Sequence, residues 1–533
     1  MAVTTPPKDV SIVNEKGIAG DDESANIALN IERDAALGVE QEKTMSTKQA
    51  FFYYRKAVLW SVVISMANIM ESYDIQLIKG FYALPQFNRK YGFRLPNGTY
   101  QVDANWQLAL SLAQFGGLIM GVFGNGSLTD RFRPRHVMMV AFIFLTGFIT
   151  ITFTAHDVRM LFGGELLCAL TWGIFAAAAP AYAAEVVPTS LRGYVTTYVN
   201  LCWVMGRILA SGVLRGVVNV SSNRSFHIPF AVQWAWPPFL IVATYLAPES
   251  PWWLVRHGHT EEAKASLSRL VAAPAGAVNT DHTFAMMQQT IQQEKNMDVG
   301  GSYLDCFKGS NLRRTEVAMV SWGLQILPGF VIQNYTTYFF TLAGLSPSAS
   351  FSLSMGTFGM AFTGTCLSWV LQSRMGRRTI YMWGLIFMVP IMWIVAALEY
   401  APDSSNGSRR WAQAALLMIW FFIYGSTIGP IPYAIASEVG ATALRSKTIA
   451  LGRNVYYVLS IVNSAISPYM LNPSRWDLKG KAAFPAAIFT LLMVTWTYFR
   501  LPETKGLTPT TLNQLFHEGV SARKFKGAAA RYQ

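Results

Sequence analysis

Apolar stretches of about 20 residues recur along this chain of 533 residues, and they constrain its fold more than any other feature. A helix of about 20 residues is long enough to cross the ~30 Å hydrocarbon core of a bilayer. Charged residues make up only 14% of the sequence, whereas a soluble domain carries about 25%. These charges are too few to cover a water-facing surface. The sequence therefore predicts an all-α membrane protein that crosses the bilayer many times.

Hydrophobic runs with few charges predict twelve membrane spans. They lie at 58–83, 105–127, 136–155, 160–183, 196–217, 230–247, 316–343, 350–371, 379–399, 411–435, 447–470 and 482–501. A long polar segment separates six spans from six, so we expect two six-helix halves. The predicted organisation is a disordered cytoplasmic tail (1–52), a first bundle (53–247), a cytoplasmic linker with short helices (248–315), a second bundle (316–501) and a cytoplasmic tail (502–533).

Basic residues in short loops predict the orientation. Arginines cluster after the second and eighth spans, at Arg131, Arg133, Arg135, Arg374, Arg377 and Arg378. By the positive-inside rule both loops, and with them both termini, are cytoplasmic. Glycosylation sequons in the loops that this orientation places outside begin at Asn97, Asn219, Asn223 and Asn406.

Matching charges indicate that the second half repeats the first. Glu185 and Glu438 are 253 residues apart, as are Arg192 and Arg445. In transporters built from such repeats, cargo binds near the bilayer midplane where the halves meet.

Other classes of protein fit the sequence poorly. The formal charge of +13 comes from basic clusters between spans, so it indicates topology rather than nucleic-acid binding. The four cysteines have no metal-ligand spacing, and we expect no metal site and no cofactor. The polar segments contain no nucleotide-binding loop or nucleophile motif. An enzyme is therefore not expected.

Six motifs in register resemble the sugar porter family of the major facilitator superfamily. They are SLTDRFRPR, AEVVPTSLRG, PESPWWL, SRMGRRTI, SEVGATALRSK and PETKG. Three further segments, PESPWWLVR, MESYD and LGRNVYY, are most similar to fungal α-glucoside permeases, which couple maltose-like sugars to protons. The resemblance implies proton-coupled sugar import by alternating access, with a sugar, protons and the lipid bilayer as partners and the plasma membrane as location.

Charges at the cytoplasmic helix ends are candidate gate residues. Carboxylates of one half can pair with guanidinium groups across the opening and hold it shut. The candidates are Asp130, Arg131, Glu185, Arg192, Arg374, Arg377, Glu438 and Arg445. The alternative is that these charges only end helices and fix topology.

Charges within spans are candidates for proton coupling, because a charge at mid-membrane is costly and normally faces a partner or water. Glu71 and Asp74 lie three residues apart on one face of span 1. Two like charges so close repel each other unless a cation or a proton intervenes, and Arg453 and Arg207 are candidate counter-ions. The resemblance to the α-glucoside symporters supports Glu71, Asp74 and Arg453. A salt bridge between helices without titration is the alternative.

Amides and aromatic rings are candidates for sugar recognition, since hydroxyls need donors and acceptors while ring faces stack on aromatics. The resemblance implies Asn200, Gln325, Tyr335 and Tyr433, which stand at the family's motif positions, and Gln333, Asn334 and Tyr456 are further candidates that would compensate for polar positions lost from the motif. Two positions that are polar in the sugar porter motif are here Ile326 and Val331. Any single amide can instead join two helices.

Two other functions remain open at this point. The apolar residues of span 7 would suit a less hydroxylated metabolite, and such a protein can be an exporter. A sugar sensor that does not transport is the second alternative, although its predicted tails are short for a docking platform.

Overall fold

The computed structural model describes residues 32–42, 44–82, 84–94, 100–274, 276–296, 302–333, 336–337, 340, 347–401, 408–441, 444–471, 476, 478–507 and 509–530. Helices predominate in it. A short antiparallel hairpin pairs Phe93–Arg94 with Tyr100–Gln101. The predicted sites Asn97, Asn334, Tyr335 and Asn406 lie outside the described residues.

The first half contains spans 1 to 6. They are Arg55–Ser65 with Ala67–Phe81, Ala104–Arg131, Pro134–Phe153, Val158–Val186, Thr189–Val217, and Arg224–Val232 continued by Gln233–Ala235 and Trp236–Leu246. Asp103 and Asp157 accept backbone hydrogen bonds at the starts of spans 2 and 4, which satisfies N–H groups that a helix end leaves unpaired.

The second half contains spans 7 to 12. They are Gly309–Gly323 followed by Leu327–Gly329, Pro347–Arg374, Arg377–Ala397, Ser408–Ser426 with Ile431–Val439, Arg445–Leu471, and Ala483–Arg500 preceded by Lys479–Ala482. Span 10 is interrupted next to Pro430 and Pro432, as prolines predict.

Eight of the described helices are by themselves long and apolar enough to cross a membrane. Spans 1 and 7 are broken into shorter helices, and spans 8 and 11 carry more polar residues, among them Arg453. These four spans supply most of the buried polar groups described below, because polar side chains inside a bilayer face protein or water rather than lipid.

Span 7 contains an unusual backbone conformation. Val331 has a φ of 70°, a value that is strained for a β-branched residue. Its N–H donates to Asn463 Oδ1 of span 11 over 2.8 Å. This side-chain contact supports a non-helical segment in the interior of the bundle, where backbone groups otherwise lack partners.

Short helices cover the face of the bundle that carries the polar linker, which we call the linker face. They are Pro251–Arg256, Thr260–Leu270, Thr280–Asn296, Tyr303–Phe307, Pro509–His517, Ala522–Lys524 and Phe525–Ala529.

Part of the segment predicted as a disordered tail is helical. Residues 32–42 and Thr47–Tyr53 form helices on the linker face. Ser46 and Gln49 form a capping box, and Ala50 is fully buried against the core. Glu42 accepts a hydrogen bond of 2.8 Å from the Thr189 hydroxyl at the start of span 5. Burial and capping therefore order residues whose composition alone suggests a solvated tail.

Candidate functional site

An ion pair joins the two halves in the middle of the bundle. Glu71 of span 1 and Arg453 of span 11 lie 3.1 Å apart, and their side chains are 0% and 2% exposed. Trp203 Nε1 donates to Glu71 over 3.2 Å, and the Tyr457 hydroxyl also donates to Glu71. Arg453 was predicted as a counter-ion of the acids in span 1, and the structure brings Arg453 and Glu71 together.

Aromatic rings surround Arg453. Its guanidinium carbon lies between 4.5 and 5.9 Å from five ring centroids, those of Trp203, Trp322, Tyr433, Tyr456 and Tyr457. Ring faces attract cations within about 6 Å. The rings therefore stabilise the guanidinium, which also donates to the hydroxyls of Tyr457 over 2.9 Å and Tyr433 over 3.2 Å. Glu71 is its carboxylate partner among the described residues.

Asp74 belongs to a different cluster, although it follows Glu71 by only three residues. Gln114 donates to Asp74 over 2.7 Å and to Glu165 over 2.9 Å, and Gln233 donates to Asp74 over 2.9 Å. The amide of Gln114 therefore bridges the two carboxyl groups. We call Asp74 and Glu165 the acid pair; spans 1, 2, 4 and 6 of the first half enclose it.

Arg207 pairs with neither acid. Its guanidinium carbon lies 5.6 Å from the Trp203 ring and 5.7 Å from the Phe358 ring. Among the described residues it has no carboxylate within ion-pair distance. The prediction that Arg207 is a counter-ion of Glu71 or Asp74 therefore does not hold in this conformation. Glu71 pairs with Arg453 instead, and Asp74 is held within the acid pair.

The predicted sugar-binding residues that the structure describes meet at one cavity between the halves. Its lining contains Asn200, Gln325, Gln333, Tyr433 and Tyr456. The cavity measures about 30 Å³, close to the volume of one water in the liquid and far below the 300–1,000 Å³ of ordinary ligand sites. The halves are therefore closed around the cavity.

Several lining residues also hold the helices together. Asn200 donates to Thr365 across the halves over 3.4 Å, and Gln325 donates to the Gly429 carbonyl at the break in span 10 over 2.5 Å. Ile326 and Val331, the apolar residues at motif positions that are usually polar, are fully buried in the hydrophobic core and do not line the cavity.

On the linker face an ion pair crosses between the halves. Lys447 Nζ at the start of span 11 lies 2.7 Å from Asp130 at the end of span 2. The predicted gate residue Asp130 thus pairs with a lysine that the sequence analysis did not single out. Lys447 stands two residues after Arg445 in the motif SEVGATALRSK. Its positive charge in this motif was the feature of the sequence that could have identified it as a gate residue.

A second pair lies against the interface without crossing it. Arg377 and Glu438, both in the second half, are 2.9 Å apart. A Cβ added to Gly193 of span 5 would lie 2.4 Å from Arg377 Nη2, so a larger residue there would displace the guanidinium. Glu438 also accepts from Thr504 over 2.6 Å, which fixes the segment after span 12. Burial, and then the charge of Arg377, lowers the pKa of neighbouring Lys505.

Two of the remaining gate candidates form hydrogen bonds near their own helix ends. Glu185 accepts from Ser250 within the first half, and Arg192 donates to the Ala184 carbonyl over 3.0 Å. Arg131 and Arg374 are exposed, whereas Arg445 is buried. Glu185 and Arg192 are therefore held at helix ends, as in the alternative that the sequence left open, and a gate role for the other candidates stays a prediction.

The linker is anchored by Glu249, which follows span 6. Its carboxylate accepts from the backbone N–H of Ser250 over 3.1 Å and of Arg135 over 3.4 Å. Burial raises the pKa of Glu249, and these hydrogen bonds oppose the increase. The described sequons, Asn219 and Asn223, are exposed in the loop after span 5.

Comparison with known proteins identifies the family. The profile of the family described as sugar (and other) transporter matches residues 60–516. A general alpha-glucoside permease of Saccharomyces cerevisiae is 36% identical over 510 residues, which are 95% of this chain and 82% of that protein. A maltose permease of Saccharomyces cerevisiae is 36% identical over 500 residues, 93% of this chain and 81% of the relative.

Solved structures agree on the fold. The proton:xylose symporter XylE of the major facilitator superfamily, bound to 6-bromo-6-deoxy-D-glucose, has a TM-score of 0.73 at 18% identity and covers 87% of this chain and 100% of its own. Inward-open XylE from E. coli has a TM-score of 0.61 at 21% identity, with 85% and 98% covered. The predicted twelve-helix major facilitator fold is confirmed, and the chain belongs to the sugar (and other) transporter family of membrane transporters.

Proposed function

We propose that this transporter imports an α-glucoside such as maltose together with protons, by alternating access at the plasma membrane, with the linker face and both termini in the cytoplasm. The similarity to the alpha-glucoside and maltose permeases supports the cargo class. The Glu71–Arg453 ion pair between the halves is the observation that carries the mechanism.

Protonation of Glu71 would couple the proton to the movement of the halves. A buried ion pair is strong only while both partners are charged, because the attraction that offsets their desolvation is electrostatic. A proton on Glu71 removes that attraction and leaves Arg453 to its aromatic neighbours. Spans 1 and 11 can then separate, as alternating access requires.

The acid pair would hold the proton next to Glu71. Two carboxyl groups in contact repel each other when both are charged, and one shared proton removes that repulsion. Asp74 lies about one helical turn from Glu71 along span 1, toward the face predicted to be outside. A proton arriving from outside would therefore reach the acid pair before it reaches Glu71.

The cavity offers groups suited to a sugar. Asn200, Gln325 and Gln333 supply amide donors and acceptors for hydroxyls, and Tyr433 and Tyr456 supply ring faces. Because Ile326 and Val331 pack in the core, their apolar side chains give no reason to expect a less hydroxylated cargo. Since the closed cavity is too small for a disaccharide, binding must accompany separation of the halves.

Uptake by a yeast strain that lacks α-glucoside transporters tests this function. Cells that express the chain should accumulate radiolabelled maltose in acidic medium, and sugar addition should make the medium more alkaline. Cells with the empty vector serve as the control. Protein present at the plasma membrane without uptake of maltose or a related α-glucoside would refute the proposal.

Loss of the Asp130–Lys447 pair should favour opening toward the linker face. Because the Asp130 side chain is 58% exposed, the pair should contribute no more than about 1 kcal/mol. Lys447→Met should therefore increase the inward-open population by up to about fivefold. The measurement is maleimide labelling, from the linker face, of a cysteine that replaces the buried Ala178.

Two variants serve as controls for the gate. Arg133→Met breaks an ion pair with Glu262 that does not cross between the halves, so labelling should not change. The exchange Asp130→Lys with Lys447→Asp should restore slow labelling. If Lys447→Met and Arg133→Met label at the same rate, the pair does not hold the gate.

A further inference from the structure

The central cavity carries an unbalanced positive charge. Its described lining includes two guanidinium groups, Arg207 and Arg453, and no carboxylate. Glu71 neutralises Arg453 at 3.1 Å. Arg207 lies against the rings of Trp203 and Phe358, and it forms no hydrogen bond or ion pair with any other described residue.

Spans 7 to 9 cannot supply a negative charge that would neutralise Arg207. The sequence from 317 to 398, which contains all of spans 7 to 9 that could face Arg207, has no aspartate or glutamate. The acid pair does not line the cavity. A charge inside the membrane without a counter-charge is costly and marks a functional site by default.

A second cation lies on the same side of the cavity. Lys79 is near the end of span 1, and its Nζ lies 5.5 Å from the centroid of the Phe115 ring. Lys79 and Arg207 lie toward the ends of spans 1 and 5 that are opposite the linker face. Cargo that approaches from the side opposite the linker face therefore meets two basic side chains, Lys79 and Arg207, before it reaches Arg453.

We propose that the preferred cargo is a sugar acid, an α-glucoside that also carries a carboxylate, and that Arg207 binds this carboxylate and sets the specificity. The planar guanidinium can donate two parallel hydrogen bonds to a carboxylate, an arrangement that neutral hydroxyls cannot match. The amides and tyrosines of the cavity then bind the glucosyl unit. Binding of the glucosyl unit rests on the proposed function, whereas binding of the carboxylate does not.

Two probes that differ in charge test the inference. Maltobionate and maltitol both join a glucosyl unit to an open six-carbon chain, and only maltobionate has a carboxylate. The measurement is competition with radiolabelled maltose uptake, in chloride-free buffer so that chloride does not occupy Arg207. Maltobionate should compete at a concentration about tenfold or more below that of maltitol, as expected for hydrogen bonds to a charged group.

Substitution of Arg207 decides whether this residue causes the preference. Arg207→Gln should reduce the ratio of the two affinities to about one, and Arg207→Lys should keep part of it because the charge remains. Equal competition by both probes in the wild-type protein would overturn the inference and assign Arg207 to hydroxyl groups. A preference for maltobionate that survives in Arg207→Gln would overturn it as well.

Thermal stabilisation of the purified protein separates this inference from the proposed function. The melting temperature should rise more with maltobionate than with maltitol, whether or not maltose is transported. Stabilisation by maltobionate without maltose uptake would refute α-glucoside import in its simple form and support the role of Arg207. Maltose uptake without any preference for maltobionate would support α-glucoside import and refute the role of Arg207. Equal melting temperatures of ligand-free wild type and Arg207→Lys would show that the variant is folded.

Discussion

Replacement of Arg453 by methionine should abolish transport and destabilise the protein by about 3–5 kcal/mol, the usual cost of leaving one partner of a buried ion pair alone. Glu71 is 0% exposed, so water cannot replace the guanidinium. Thermal unfolding in detergent measures the stability, and maltose uptake measures the function.

The double variant Glu71→Gln with Arg453→Met distinguishes the ion pair from simple packing. Removal of both charges should recover most of the lost stability, because buried pairs can be replaced by uncharged groups at little cost. Uphill accumulation should remain absent, since no titrating group would then join the halves. A double variant no more stable than Arg453→Met would show that the ion pair does not account for the loss.

Arg207→Met is the matched control for stability. It also removes an arginine within a span, but one that has no carboxylate partner among the described residues. Its unfolding temperature should fall less than that of Arg453→Met. The comparison therefore separates loss of an ion pair from loss of a large side chain in the same cavity.

The fold was predictable because its main constraint is local. The length of a helix that crosses a bilayer and the cost of charge in lipid determine where spans begin and end, and neither depends on packing. The helices before span 1 were missed for the opposite reason. They are ordered by contacts with residues far away in sequence, such as Thr189, which composition does not reveal.

The sequence predicted which residues form the site better than it predicted which of them contact each other. An intramembrane charge requires a partner, which selected Glu71, Asp74, Arg453 and also Arg207, and the resemblance then favoured the first three. Spacing of three residues suggested that the two acids act together, yet on the helix they point to different neighbours. Only the packing of the helices shows that Glu71 pairs with Arg453, while Asp74 and Glu165 share the amide of Gln114.

Replacement of Asp74 by asparagine should uncouple sugar movement from the proton gradient. Each proton carried across 100 mV supplies about 2.3 kcal/mol, which supports an accumulation ratio of about 50. Asp74→Asn keeps the hydrogen-bonding shape but cannot release a proton, so the ratio should fall to about one while exchange of labelled for unlabelled sugar continues. Counterflow and net accumulation in the same cells measure the two properties.

Glu165→Gln should behave in the same way if the two carboxyl groups hold one proton between them. Gln114 donates to both acids. An amide in place of Asp74 or Glu165 therefore leaves one carboxyl group beside Gln114, and no proton is shared between two carboxyl groups. Asp281→Asn, at an exposed position of the linker whose side chain is 70% exposed, should leave accumulation unchanged. Full pH-dependent accumulation in Glu165→Gln, with loss only in Asp74→Asn, would mean that Asp74 carries the proton alone and that Glu165 only positions it.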